Sequence, residues 1–98
     1  EFGRHGKSGI EVRHLLTHTS GLPDMLPNNV ELRTAHAPLS RFLAETCDQP
    51  LAFPPGRGVQ YQSTGFLVLA EIIERVSGRP CARFLQEEIF TPLGMRDT

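Results

Sequence analysis

Fifteen residues, Ser63 to Ser77, place the strongest constraint on how this chain can fold. Thr64, Leu67, Glu71, Glu74 and Arg75 fall on one side of a helical wheel. Phe66, Val68, Leu69, Ala70, Ile72, Ile73 and Val76 cover the rest. More than half of the circumference is apolar, and such a helix needs packing partners on several sides. Gly78 suits its C-terminal cap, and Pro80 suits the first turn of a following helix. In that next helix Cys81, Phe84, Leu85 and Ile89 recur at helical spacing, and Thr91-Pro92-Leu93-Gly94 closes it.

The rest of the chain has little to wrap around such a helix. Residues 1–9 carry three glycines and no periodicity, so they read as a loop. Val12, Leu15 and Leu16 then share one helical face, and Thr19-Ser20-Gly21 with Pro23 ends that short helix. Residues 22–37 read as a long irregular stretch with Pro23, Pro27 and Asn28-Asn29. Loops of that length are often functional or covering. A second short helix is expected over residues 38–47, with Leu39, Phe42 and Leu43 apolar and Pro38 at its start. Pro54-Pro55-Gly56 forces a turn before the long helix. About four short helices and long loops would struggle to bury that helix alone, which implies that the 98 residues are a piece of something longer.

Composition excludes several classes of function. Ten Lys and Arg against eleven Asp and Glu give a net charge of -1. That is not the basic footprint of a nucleic-acid binder, nor a polybasic membrane surface. The longest apolar run, Phe66 to Ala70, falls far short of the ~20 residues of a membrane span. No apolar signal segment opens the chain, and the compartment stays open. Cys47 and Cys81 read as two buried free thiols rather than a disulfide scaffold.

Three short motifs lack their required context. Gly6-Lys7-Ser8 imitates the end of a phosphate-binding loop, but Glu1 stands where the first glycine belongs and no strand precedes it. His14 and His18 have the four-residue spacing of a zinc pair, but Leu15 stands where a metalloprotease needs its glutamate. The expected arrangement is one exposed and one hydrogen-bonded histidine, and no metal. Lys7-Ser8-Gly9 resembles the Lys-Ser/Thr-Gly triplet of penicillin-recognising enzymes, but it precedes every other element instead of following them.

Three longer stretches, in order and in register, do carry a resemblance. They are Val12-Arg13-His14-Leu15-Leu16-Thr17-His18-Thr19-Ser20-Gly21-Leu22-Pro23, then Phe53-Pro54-Pro55-Gly56 leading to Tyr61-Gln62-Ser63, then Ile72-Ile73-Glu74-Arg75-Val76-Ser77-Gly78 through Pro92-Leu93-Gly94-Met95. Together they resemble the serine β-lactamase-related family, which includes class C β-lactamases, penicillin-binding-protein-like esterases and D-aminopeptidases. The resemblance implies that residues 1–98 form a partial domain, a mainly helical segment of an α/β serine β-lactamase/transpeptidase-like fold. It also implies acyl transfer, in which a serine of a Ser-x-x-Lys motif attacks a carbonyl and water later hydrolyses the acyl-enzyme.

Carried onto this chain, the resemblance makes Tyr61 the general acid/base and puts Ser63 in the substrate-binding place that the family fills with asparagine. A hydroxyl cannot offer a carbonyl and two N–H donors at once, which shifts the expectation from β-lactams toward esters or peptides. Without the resemblance, Tyr61 would read as a core residue. Ser63 also stands where a helix begins, and serine is a favoured N-cap. His18 and Ser20 are expected to fix their loop by hydrogen bonds. Lys7 is the only lysine, and Arg4 occupies the place of a Ser-x-x-Lys serine. The nucleophile and the late Lys-Thr-Gly or His-x-Gly strand are therefore expected outside these residues, and the 98-residue chain alone is expected to be inactive. A small-molecule substrate and no organic cofactor are implied. Two alternatives stay open: an inactive β-lactamase-like binding protein, and a small autonomous helical interaction module.

Overall fold

The structure, a computed structural model, describes residues 2, 3 and 5–98. The loop reading at Glu1, and the motif positions assigned to Glu1 and Arg4, lie outside the described residues. The chain divides into two compact units, Glu1–Val68 and Leu69–Thr98. After a 3-10 turn at Lys7–Gly9 come α1 (Val12–Leu16), α2 (Asn29–Thr34), α3 (Leu39–Cys47), α4 (Ser63–Ser77) and α5 (Cys81–Leu85). A π turn over Gln86–Phe90 continues α5 directly. No strand occurs among the described residues.

The bounds of α4 and α1 match expectation, and α3 begins one residue after Pro38. α2 does not match: a helix lies inside the stretch read as irregular, making five α-helices among the described residues rather than about four. Leu32 is its one buried residue, and Val30 points outward. One anchor in six residues leaves no period to read. α1 and α2 end alike, with a histidine in the left-handed region, His18 at φ 59° and His36 at φ 52°. In both, the following N–H reaches back five residues: Thr19 to the His14 carbonyl and Ala37 to the Leu32 carbonyl, each at 2.9 Å. This is the Schellman stop, with histidine where glycine is usual.

The core of the first unit is unusually polar. Leu15, Leu22, Leu26, Leu32, Cys47 and Val68 are buried, but so are Lys7, His14, Ser20, Thr46, Gln62 and Thr64. Every buried side-chain nitrogen or oxygen among the described residues has a hydrogen-bond partner. The Lys7 ammonium donates to the Cys47 carbonyl at 3.1 Å and to the Gln49 carbonyl. It thus places a positive charge at the C-terminal end of α3, where the helix dipole favours one. The apolar face expected for α1 is only partly used: Leu15 is buried, Val12 and Leu16 are exposed, and His14 takes the inward place.

In the second unit, Glu74 accepts the Cys81 backbone N–H at 2.8 Å and so caps the start of α5. Arg79 lies over the Phe84 ring at 4.8 Å and pairs with Glu88 at 3.0 Å and Glu87 at 3.5 Å. The Glu88 hydrogen bond is the main reason that the Arg79 guanidinium pKa is raised above its usual value. Cys47 is buried but Cys81 is only half-buried, a correction to the expected pair of buried thiols.

As the shortage of partners in the sequence leads one to expect, α4 is buried at only a few positions. Thr64, Gly65 and Val68 are its buried residues, whereas Phe66 is 48% and Val76 83% exposed. The other α-helices have five to nine residues, about 8–14 Å of length against about 22 Å for α4, and cannot surround it.

Candidate active site

The segment from Thr17 to Asp24 is a strap tied to the chain that leads into α4. His18 accepts the Gln60 N–H at 2.9 Å, Thr19 the Gly56 N–H at 2.7 Å, Gly21 the Ala52 N–H at 2.8 Å and Asp24 the Thr64 N–H at 3.2 Å, all on backbone carbonyls. A Cβ on Gly21, at φ 88°, would collide with the Phe53 carbonyl oxygen, so the two runs approach as closely as they do only because no side chain is there. Prolines 54 and 55 form the expected turn, closed by the Arg57 N–H on the Pro54 carbonyl at 3.0 Å.

Tyr61 sits at the end of this arrangement, 65% exposed. It is not the core tyrosine that a lone occurrence would otherwise suggest. Its ring packs on the His18 imidazole with centroids 4.6 Å apart at 30°, and Phe66 faces the same imidazole at 5.7 Å. The residues on either side of Tyr61 are also bonded to His18. Gln60 donates its N–H to the His18 carbonyl, and Gln62 donates its N–H to His18 Nδ1 at 3.1 Å. An Nδ1 that accepts puts the proton of the neutral ring on Nε2. His18 therefore holds Tyr61 by its carbonyl, its ring nitrogen and its ring face, going beyond the hydrogen bonding expected of it.

Gln62 points the other way and is fully buried. Its Nε2 donates to the Leu15 carbonyl at 2.7 Å, and its Oε1 accepts the Ser20 hydroxyl. Ser20 Oγ in turn accepts the Leu22 N–H at 3.1 Å, which bears out the loop-fixing reading of Ser20. Gly65 lies so close above this amide that a Cβ there would overlap it.

Ser63 is the first residue of α4 and is exposed. It does not cap the helix by itself. Asp24 Oδ1 accepts both the Ser63 N–H at 3.0 Å and the Ser63 hydroxyl at 2.8 Å. Asp24 thus supplies, from the strap, the acceptor that an N-cap residue usually supplies locally. Asp24 and Ser63 line an open cavity of about 360 Å³, together with Asn29, Arg33 and the apolar residues Met25, Leu39, Phe42 and Leu67. Sequence reasoning missed Asp24 and Gln62. The one available signal for Gln62 was its place between Tyr61 and Ser63, since extended backbone turns alternate side chains to opposite faces.

His14 is buried and accepts the Glu11 N–H on Nδ1 at 3.0 Å. The expected exposed histidine of the His14/His18 pair is not found: His14 is buried and His18 half-buried, His14 accepting a backbone N–H three residues away and His18 one 44 residues away. No group of three or more potential metal ligands occurs among the described residues. No helix among them is long and apolar enough to cross a membrane.

A mainly helical unit in which a strap pins an exposed tyrosine loop at the head of a long helix is a segment of the serine β-lactamase/transpeptidase-like fold. A D-amino acid amidase from Ochrobactrum anthropi SV3, solved in complex with D-phenylalanine, has a similar structure, with a TM-score of 0.73 and 31% identity. The match covers 90% of this chain and 25% of that one. The Beta-lactamase family model matches residues 1–98, and the chain belongs to that family. Among curated relatives, a penicillin-binding protein of Bacillus subtilis strain 168 is 38% identical over 94 residues, covering 92% of this chain and 21% of its own length. Esterase EstB of Burkholderia gladioli is 36% identical over 101 residues, covering 90% of this chain and 25% of its own. The chain thus spans about a quarter or less of the length of these relatives.

Proposed function

We propose that these residues are the helical part of a serine hydrolase that works through an acyl-enzyme, with Tyr61 as its general acid/base. The observation that carries this reading is the exposed Tyr61 ring, held by His18 inside a stretch that matches the family from end to end. In the proposed reaction a serine oxygen attacks the carbonyl of an ester or amide. Tyr61 takes the serine proton and passes it to the leaving group, and water then hydrolyses the acyl-serine. Ser63 lies beside the substrate in the third position of the tyrosine motif.

The nucleophile and its lysine come from parts of the protein outside residues 1–98. Lys7 is not that lysine: it is buried, and its ammonium is bonded to the carbonyls that follow α3. A phenol is a weak base at neutral pH without a neighbouring cation, so the 98-residue chain alone is inactive. The relatives named esterase, penicillin-binding protein and amidase support ester or amide substrates of small size.

The test is turnover of p-nitrophenyl acetate by the whole protein, by its Tyr61→Phe variant and by the 98-residue chain. Activity in the first and its loss in the other two supports the reading. Enzyme-like turnover by the 98 residues alone, or a fully active Tyr61→Phe protein, overturns it.

A further inference from the structure

We infer that His18 and Phe66 are positioning residues for the reaction: together they fix the direction in which the exposed Tyr61 phenol points. The inference rests on the hydrolase reading above. Tyr61 is 65% exposed, and an exposed tyrosine has two side-chain torsions free to turn. A proton carrier must instead meet the serine oxygen and the leaving group in one orientation, and a small misplacement is costly in rate. Among the described residues, the aromatic ring packed on Tyr61 is the His18 imidazole, with centroids 4.6 Å apart and planes at 30°. That separation falls in the range of about 4.5–7 Å where stacked and tilted rings attract.

The imidazole can act as a stop because it is itself held. Its Nδ1 accepts the Gln62 N–H at 3.1 Å, and the His18 carbonyl accepts the Gln60 N–H at 2.9 Å. Those donors flank Tyr61, so the backbone and the ring of the tyrosine are both referred to one histidine. The third hold is the Phe66 ring, which faces the imidazole at 5.7 Å and 47°. Phe66 is the fourth residue of α4 and is 48% exposed, so its ring is not committed to the core. Among the described residues it makes no ring contact with Tyr61, and its influence on the phenol runs through His18. The long helix thereby backs the imidazole, and the imidazole backs the phenol.

The experiment measures kcat, KM and the melting temperature of the whole protein and its variants, with p-nitrophenyl acetate as substrate. His18→Asn keeps a side-chain acceptor and tolerates the left-handed backbone, but has no ring. Phe66→Leu removes a ring at a half-exposed place where folding is not at stake, and Phe66→Tyr keeps one. The expected loss lies mainly in kcat, at least about tenfold for His18→Asn and at least about threefold for Phe66→Leu. Phe66→Tyr recovers most of the second loss. In a Tyr61→Phe background either substitution lowers the residual rate by less than about twofold, because residues that act through one group are not additive. A merely structural role would lower the melting temperature and leave kcat of the folded protein in place. Either His18→Asn or Phe66→Leu with unchanged kcat overturns the inference while the hydrolase reading stands. So does a Phe66→Tyr protein as slow as Phe66→Leu, or an undiminished loss in the Tyr61→Phe background. If Tyr61→Phe alone leaves turnover intact, the hydrolase reading fails, and this inference fails with it.

Discussion

The side-chain amide of Gln62 donates to the carbonyl of Leu15 at 2.7 Å, across 47 residues of sequence. That bond joins the end of α1 to the head of α4, and Tyr61 stands immediately beside it in the chain. In the Schellman stop of α2, the Arg33 carbonyl takes the His36 N–H at 3.0 Å. Leu15 holds the equivalent place in α1, and its carbonyl receives Gln62. Gln62→Ala leaves the Leu15 carbonyl and the Ser20 hydroxyl unpaired in a buried place, at about 1–3 kcal/mol each. Thermal melting of the whole protein checks it: the variant melts lower, and Gln62→Glu, which lacks the amide donor, does not restore it.

His18→Ala removes both the acceptor for the Gln62 N–H and the ring beneath Tyr61. Its expected cost is about 1–3 kcal/mol, with an added penalty because alanine is strained at the φ of 59° that His18 adopts. His18→Asn costs less, since asparagine tolerates the left-handed region and carries an acceptor. Comparing the two melting temperatures separates backbone strain from the lost contact.

Two glycines with positive φ are expected to differ sharply on substitution. Alanine at Gly21 meets the Phe53 carbonyl oxygen, whereas alanine at Gly78 meets open space. Gly78→Ala carries only the left-handed strain, about 1–2 kcal/mol. Gly21→Ala adds a backbone collision and separates the strap from the Tyr61 loop, so it unfolds at clearly lower denaturant concentration. Equal effects at the two sites would contradict this account of the strap.

Acid removes a small part of the stability at α1. The Arg13 guanidinium, hydrogen-bonded to Glu11 at 2.7 Å, holds the Glu11 carboxyl below its usual value of 4.5. A carboxyl depressed in the folded state stabilises above its unfolded value and loses that contribution as pH falls through the lowered one. Both groups are solvent-exposed, so the effect is small and weakened by salt. Glu11→Gln should therefore barely move the melting temperature at pH 7, while removing part of its decline below pH 4.5.

Val30, Leu39, Val59, Val76 and Leu93 are all exposed in the 98-residue chain. So much uncovered apolar surface predicts strong binding of a hydrophobic dye and a broad thermal transition for this chain in isolation. A sharp two-state melt without dye binding would instead favour an autonomous helical module.

α4 was legible in the sequence because its evidence is local: fifteen residues with a continuous apolar pattern, ended by Gly78. α1 and α3 were legible for the same reason, through short apolar faces and flanking prolines or glycines. α2 was not, since Leu32 alone anchors it and a single anchor has no period. Tyr61 could be singled out only through the order and spacing of three stretches, and its lone occurrence pointed instead to the core. The sequence by itself thus determined where the long helix runs and which family the chain resembles. Only the tertiary structure decided that Gln62 is buried under Leu15 and Ser20, that Asp24 holds Ser63, and that Lys7 closes the end of α3. Those partners are separated by 39 to 47 residues, and hydrogen bonds between polar groups so far apart leave no periodic trace along the chain.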